Sequence, residues 1–167
     1  MLRLVLVNMK IKSLGWSSFL FTTDNISILT DPFALEQSGI GLPKSKADVV
    51  LFSQNDLYGK ESILKEYGLE KKIEPDHRDF VFEISSPGEY EIGGMMIRRD
   101  INLPFYTIDE GILRVVYMGL IDNSLDISKT KDLGDVDVLI LPIGNGNLFI
   151  DYDKIEKILN YIDPTVL

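Results

Sequence analysis

Cysteine is absent from this chain and histidine occurs once, at His77. The first absence excludes a disulfide framework and any chemistry that runs through a thiolate. Together the two exclude an ordinary zinc site assembled within one chain, because zinc draws its ligands mainly from His and Cys, with carboxylates in support. Oxygen-ligand cations such as Mg, Mn or Ca are left open by this count. A chain without cysteine suits a reducing compartment, and we expect it in the cytoplasm. Long apolar runs are missing too. The stretch Leu2–Val7 is far too short to span a bilayer and has no small-residue cleavage site, so it is not read as a signal peptide. Positive charge is scarce: Lys and Arg number 17 against 26 Asp and Glu, a net charge of −9. Nucleic-acid backbones and anionic membranes would be repelled, and neither is an expected partner. The basic pairs Lys71–Lys72 and Arg98–Arg99 are too short to reverse this; they read as solvated surface, with an anion site as the alternative.

What is present is an ordinary globular composition. Of 167 residues, 45% are apolar and 26% charged, which supports one packed domain. Lys10–Leu14, Ser18–Thr22 and Ile26–Thr30 read as an antiparallel meander with turns at Gly15 and Asp24–Asn25, ending at Asp31–Pro32. Glu36–Lys46 reads as an exposed loop. Asp48–Phe52 is a continuous apolar strand of the kind buried on both faces, followed by a polar loop Ser53–Gly59. Lys60–Tyr67 has helical spacing with Gly68 as a stop. Phe80–Ile84, Glu89–Ile92 and Met95–Arg99 are strands, and Asn102–Thr107 with Ile112–Met118 forms a hairpin. Asp122–Asp135 reads as polar and irregular. Asp137–Leu141 is a second buried-type strand. Tyr152–Ile162 is an amphipathic helix with Asp151 as its N-cap. This order predicts an α/β domain of α+β type, with two sheets packed face to face and helices outside.

Specific words then appear. Met9–Phe33, MKIKSLGWSSFLFTTDNISILTDPF, resembles the opening of the metallo-β-lactamase superfamily, in the branch of small zinc-dependent hydrolases similar to L-ascorbate-6-phosphate lactonase. Ala47–Ser53 (ADVVLFS) resembles the strand that delivers that family's metal-binding loop, and Pro87–Gly94 (PGEYEIGG) is a phrase of the same branch. Val115–Gly119 with Leu133–Ile143 resembles its second metal-bearing half, and Asp151–Val166 its closing helix. The resemblance covers the chain from residue 9 to 167 as one domain; residues 1–8 are an extra strand-like segment. It implies a four-layer αββα sandwich in which zinc activates a water for hydrolysis. It also implies a last strand after the closing helix, which Pro164–Leu167 begins and nothing continues.

Carried over residue by residue, the family's metal motif is gone. Its HxHxDH sequence should follow Ser53; Gln54 stands at the first His position, Asp56 at the second, Tyr58 at the Asp and Gly59 at the third His. Trp16 replaces the His often found after the first glycine of the opening. Leu120 follows Gly119 where the bridging Asp belongs. Asp56 and Asp122 are candidates for holding a harder cation, but two carboxylates and an amide are a meagre set. The resemblance would imply zinc, and these residues lead us to expect no cofactor.

Other constellations have structural readings. Glu89 and Glu91 share one face of a strand and read as a fold element rather than an acid–base pair. Gly144–Asn147 matches neither phosphate-loop pattern. His77 sits among charges with no triad spacing to Ser53, Ser85 or Ser86. Trp16 is expected to plug the old site with apolar bulk, or with Tyr58 to line a small-molecule pocket. A missing last strand leaves an open sheet edge, which Leu2–Val7 is expected to cover in its own molecule or in a second copy, making a homo-oligomer. The expected function is a non-catalytic binding or interaction module. The alternative is a metal-dependent hydrolase of phosphoesters or lactones with a carboxylate-rich or intersubunit site.

Overall fold

The computed structural model describes residues 8–32, 47–53, 81–121, 124–143 and 150–167. They fall into two compact units, one within Met9–Ser85 and one made of Asn8 and residues within Ser86–Leu167. The expected strand at Leu2–Val7, the loop Glu36–Lys46, the helix Lys60–Tyr67, His77 and Gly144–Asn147 lie outside the described residues.

The first unit is a sheet in the order β1 (Lys10–Gly15), β2 (Ser18–Thr22), β3 (Ser27–Thr30), β4 (Val49–Leu51) and β5 (Phe82–Ile84). The three-stranded meander forms as its alternating apolar residues predict, β1–β2 and β2–β3 pairing antiparallel. Its second turn is closed by Thr23, whose Oγ1 accepts from the amide of Ile26 at 3.2 Å. β4 joins β3 in parallel and β5 joins β4 in parallel. All three residues of β4 are fully buried, as the unbroken Val49–Leu51 run predicts. Asp48 sets the β3–β4 register: one carboxylate oxygen accepts from both the amide and the hydroxyl of Ser27 at 2.7 Å.

The second unit carries a sheet in the order β10-β9-β8-β7-β6, built from β6 (Gly88–Ile92), β7 (Met95–Arg99), β8 (Tyr106–Glu110), β9 (Leu113–Tyr117) and β10 (Val138–Ile140). β6 to β9 run antiparallel in sequence order, and β10 joins β9 in parallel. The β6–β7 turn has two residues, Gly93 and Gly94, at φ 61° and 86°, the left-handed pair that a tight hairpin turn demands. Register divides the sheet's faces. Ile97, Ile108, Val115 and Val138 align on one; Arg98, Thr107, Val116 and Leu139 align on the other. On that second face Val116 and Leu139 pack with Ile155, Ile158 and Ile162 of helix α1 (Tyr152–Ile162). Ile158 is fully buried, worth about 2–3 kcal/mol of hydrophobic stabilisation, an upper figure because the unfolded chain is itself partly collapsed.

Two expectations need correction. Asn102–Thr107 is not a strand throughout: β8 starts at Tyr106, because the Asp100 carboxylate accepts from the Asn102 amide at 2.7 Å and folds the chain into a turn, and Pro104 has no N–H for a ladder. Asp122–Asp135 is not all irregular: Ile127–Leu133 is a 3₁₀-helix. Its apolar contacts recur every third residue, at Ile127 and Leu133 around the buried Thr130, the 3₁₀ period rather than the α period. Asp151 is the N-cap of α1 as expected, without a side-chain capping bond; its carbonyl takes the amides of Lys154 and Ile155 at 2.9 and 3.1 Å.

α1 ends at Asp163 in the left-handed conformation (φ 49°), its amide donating to the Leu159 carbonyl at 2.8 Å. Pro164 then turns the chain. Val166 forms a parallel bridge to Val138, with Leu139 N–H donating to the Val166 carbonyl at 2.9 Å, so the expected start of a further strand is present on the edge of β10.

The 3₁₀-helix depends on its cap. Asp126 accepts from the Ser128 hydroxyl at 2.7 Å and amide at 3.0 Å, and these bonds hold its carboxyl below the usual carboxylate range. A depressed folded-state pKa gives stability that is present above the unfolded value and lost as pH falls through the folded one. Amide exchange at Ser128 and Lys129 is therefore expected to quicken below roughly pH 4, relative to neighbouring sites. In Asp126→Asn that extra acid response should vanish; if it persists, the cap is not its origin.

Candidate functional site

The residues at the end of β4 lead into the segment that begins at Gln54, so what fixes that strand end fixes the entry to the candidate site. The fixture is Asp31. Its amide donates to the Leu51 carbonyl at 2.9 Å. One carboxylate oxygen accepts from the Ser53 amide at 2.8 Å and the other from the Ser53 hydroxyl at 2.6 Å. Its own carbonyl accepts from the Ser18 hydroxyl at 2.6 Å. Asp31 and Ser18 are fully buried and Ser53 nearly so. The ends of β2, β3 and β4 are thus tied at one carboxylate and its backbone. Next to them the Thr30 hydroxyl accepts from the Phe19 amide at 2.9 Å and donates to the Ser17 carbonyl at 3.2 Å.

Chemically this cluster is a clamp. Ser53 spends its hydroxyl proton on Asp31, both are shut away from water, and neither is placed to act on a substrate. Asp31 also sits at φ 37°, a left-handed conformation that Asp tolerates better than most residues because its short polar chain bonds locally. In the sequence Asp31 reads only as the close of the third strand. The signal that could have singled it out is a charged residue directly after a buried apolar strand, where a carboxylate has to find donors.

Of the positions expected to be vestigial ligands, Trp16 and Leu120 are described; Gln54, Asp56, Tyr58 and Gly59, with the candidate Asp122, lie outside the described residues. Trp16 occupies the two-residue turn between β1 and β2 at φ 52°, an unusual conformation for a bulky side chain. It is 45% exposed, which does not agree with the buried plug expected there. Leu120 is buried, just after Gly119 at φ 61°. Neither can ligate zinc: an indole offers only an N–H donor and leucine offers hydrocarbon. Among the described residues, no three or more His, Cys, Asp or Glu gather as a metal-binding set. The two described ligand positions, Trp16 and Leu120, do not fit the group the resemblance implies. Glu89 and Glu91 lie exposed on β6, and Glu89 is engaged by Arg98 at 3.5 Å. Arg98 and Arg99 do not form a common solvated patch. Arg99 stacks on the Tyr106 ring, its guanidinium carbon 5.3 Å from the centroid, whereas Arg98 points to the opposite face of the sheet and lines a cleft. Among the described residues no helix is long and apolar enough to cross a membrane.

Comparison with known proteins gives three kinds of result. A family model for the beta-lactamase superfamily domain matches residues 10–167. No curated protein matches the sequence significantly. Among solved structures, a Thermotoga maritima protein assigned to the zinc-dependent hydrolases of the metallo-β-lactamase superfamily shares 21% identity, with 94% of this chain and 72% of that chain covered and a TM-score of 0.67. Igni18, a metallo hydrolase from the hyperthermophilic archaeon Ignicoccus hospitalis, shares 17% identity over 93% of this chain and 79% of that one, TM-score 0.60. YhfI from Bacillus subtilis, a metallo-β-lactamase fold protein, shares 16% over 89% and 76%, TM-score 0.57. At such identities the likeness establishes the fold and leaves the chemistry to the site.

Proposed function

This chain belongs to the beta-lactamase superfamily and has the α+β metallo-β-lactamase fold; from that premise we propose that it is a non-catalytic member of the fold, a binding or interaction module without a zinc centre. The observation that carries the reading is the ligand inventory of the whole chain: one His and no Cys, where a catalytic zinc site needs several nitrogen or sulfur donors. The replacements at the family positions support it from a second direction, with Trp16 and Leu120 unable to ligate and Gln54, Tyr58 and Gly59 poor substitutes for imidazole. Solved structures of the same fold are named as hydrolases, and the clamp at Asp31, which ties the ends of three strands through protein groups alone, supports a scaffold that holds together without a cation.

Metal analysis tests this. Protein purified without chelator, assayed by plasma mass spectrometry with its oligomeric state determined on the same sample, should give a metal-to-protein ratio near zero, unchanged after incubation with zinc or manganese. A stoichiometric ratio that falls in Asp56→Ala or Asp122→Ala would instead mark a carboxylate-rich site and favour a hydrolase of phosphoesters or lactones. A ratio that appears only in an oligomer would mark ligands shared between copies.

A further inference from the structure

The second unit holds a cleft of about 430 Å³ whose lining includes Arg98, Asp100, Asn102, Thr107, Arg114 and Lys129. Its position follows from the sheet register. Arg98 on β7 and Thr107 on β8 are direct neighbours in the same row as Val116 and Leu139. α1 packs over the Val116 and Leu139 end of this row. The Arg98 and Thr107 end meets the turn Asp100–Phe105 and the 3₁₀-helix that carries Lys129.

The three cations of the cleft differ in how far they are committed. Arg114 is fixed. Nε and Nη2 meet the two oxygens of Asp109 at 2.9 and 3.0 Å, Nη1 donates to the Leu133 carbonyl at 2.7 Å, and the hydrogen bond to Asp109 raises its pKa further. Gly134, at φ 69°, leaves room for that guanidinium; a Cβ there would stand 3.0 Å from Nη1. Arg98 is not fixed. Its Nε is buried without a hydrogen bond, and its ion pairs to Glu89 and Asp109 are long, at 3.5 and 3.7 Å. Lys129 reaches the Asn102 carbonyl only at 3.5 Å. Two side chains with donors to spare therefore face one cleft from different elements. The lining itself carries three cations, Arg98, Arg114 and Lys129, against one carboxylate, Asp100; Asp109 is taken by Arg114, and Asp135, Asp137 and Asp126 act on Arg114 and Lys129 from outside it. Glu89 does not line the cleft and its side chain is 73% exposed, so water and salt screen it. The apolar part of the lining is the half-buried Leu103, packed against the core that contains the buried Phe105 and Leu133.

We infer that this cleft is a binding site for a small organic anion, with a phosphate or carboxylate head held by Arg98 and Lys129 and a compact apolar body against Leu103. A guanidinium fork suits a planar or tetrahedral oxyanion, and an ammonium on a flexible stem completes its coordination. Thr107 and Asn102 add neutral polar groups that fix orientation. The site shares no residue with the metal-ligand positions of the fold, so it stands whatever metal analysis finds.

The test is titration of the full chain with phenyl phosphate at low ionic strength, followed by ¹H–¹⁵N correlation spectra and calorimetry. Saturable shifts at residues 98–107 and 127–133 are expected, with a Kd on the order of 1 mM or tighter, weakening as salt is added. Arg98→Gln and Lys129→Gln should each weaken binding by about ten-fold with little change in melting temperature, since their present bonds are long. Glu89→Gln, which releases a competitor for Arg98, should tighten it. No saturable shift up to roughly 20 mM, or affinity in both cation variants unchanged from that of the unsubstituted chain, would overturn the site. Inorganic phosphate binding as tightly as phenyl phosphate would overturn the organic ligand, because the apolar part of the lining would then contribute nothing.

Discussion

Asp31→Ala is expected to cost about 3 kcal/mol of stability, because two hydrogen bonds to a buried carboxylate are lost and the Ser53 amide and hydroxyl are left inside without it. For a chain of this size that is a fall in melting temperature of roughly 9 °C. Alanine also inherits a backbone φ of 37°, for which it has no compensating side-chain bond. Asp31→Asn tolerates that φ and keeps one acceptor oxygen, so about half the loss should return. The comparison separates two roles. If asparagine is as damaging as alanine, the charge matters and the clamp is more than a pair of hydrogen bonds. If alanine costs under about 1 kcal/mol, the strand ends are held by something other than Asp31. Urea unfolding followed by Trp16 fluorescence, the indole being the sole tryptophan of the chain, gives the measurement directly.

Ile158→Ala is the second large effect, about 3 kcal/mol, from lost transfer energy and the cavity left between α1 and the sheet. Ile158 is fully buried beside Val116 and Leu139, so the space cannot be filled by water or by movement of a surface chain. Tyr161, one turn on, is 49% exposed and lies under the Lys131 ammonium at 5.0 Å; Tyr161→Ala should cost under about 1 kcal/mol. Equal losses in the two variants would mean that α1 does not present the face described.

The strands were legible where physics is local. Gly93–Gly94 can only be a tight turn between alternating runs, and Val49–Leu51 can only be a strand buried on both faces. The meander and α1 followed from periods of 2 and 3.6. The failures were of other kinds. The 3₁₀-helix Ile127–Leu133 turns Ile127, Thr130 and Leu133 inward at intervals of three, which disappears among its lysines, serine and aspartate when only the strand and α-helix periods are sought. Asn102–Phe105 looked strand-like because a turn made by Asp100 is invisible to a hydropathy pattern. The site divides the same way. The absence of zinc donors could be counted in the sequence. Asp31 could not be recognised as a clamp, because its partners Ser18 and Ser53 lie 13 and 22 residues away and only the fold brings them to it. Arg98 and Arg99 read as one basic pair, yet alternation along β7 sends them to opposite faces, one to Tyr106 and one to the cleft.

The second sheet also has a built-in order of assembly. From β6 to β9 each strand pairs with the next one along the chain, across links as short as two residues. Closing such links loses little chain entropy, whereas bringing β10 beside β9 closes the much longer link from Met118 to Asp137. The antiparallel ribbon is therefore the fast part of this unit, and β10 with α1 docks on it as the slow part. Until it does, Val116 and Leu139 are wet, and the interval between the two events is when this chain is most exposed to sticking to its neighbours.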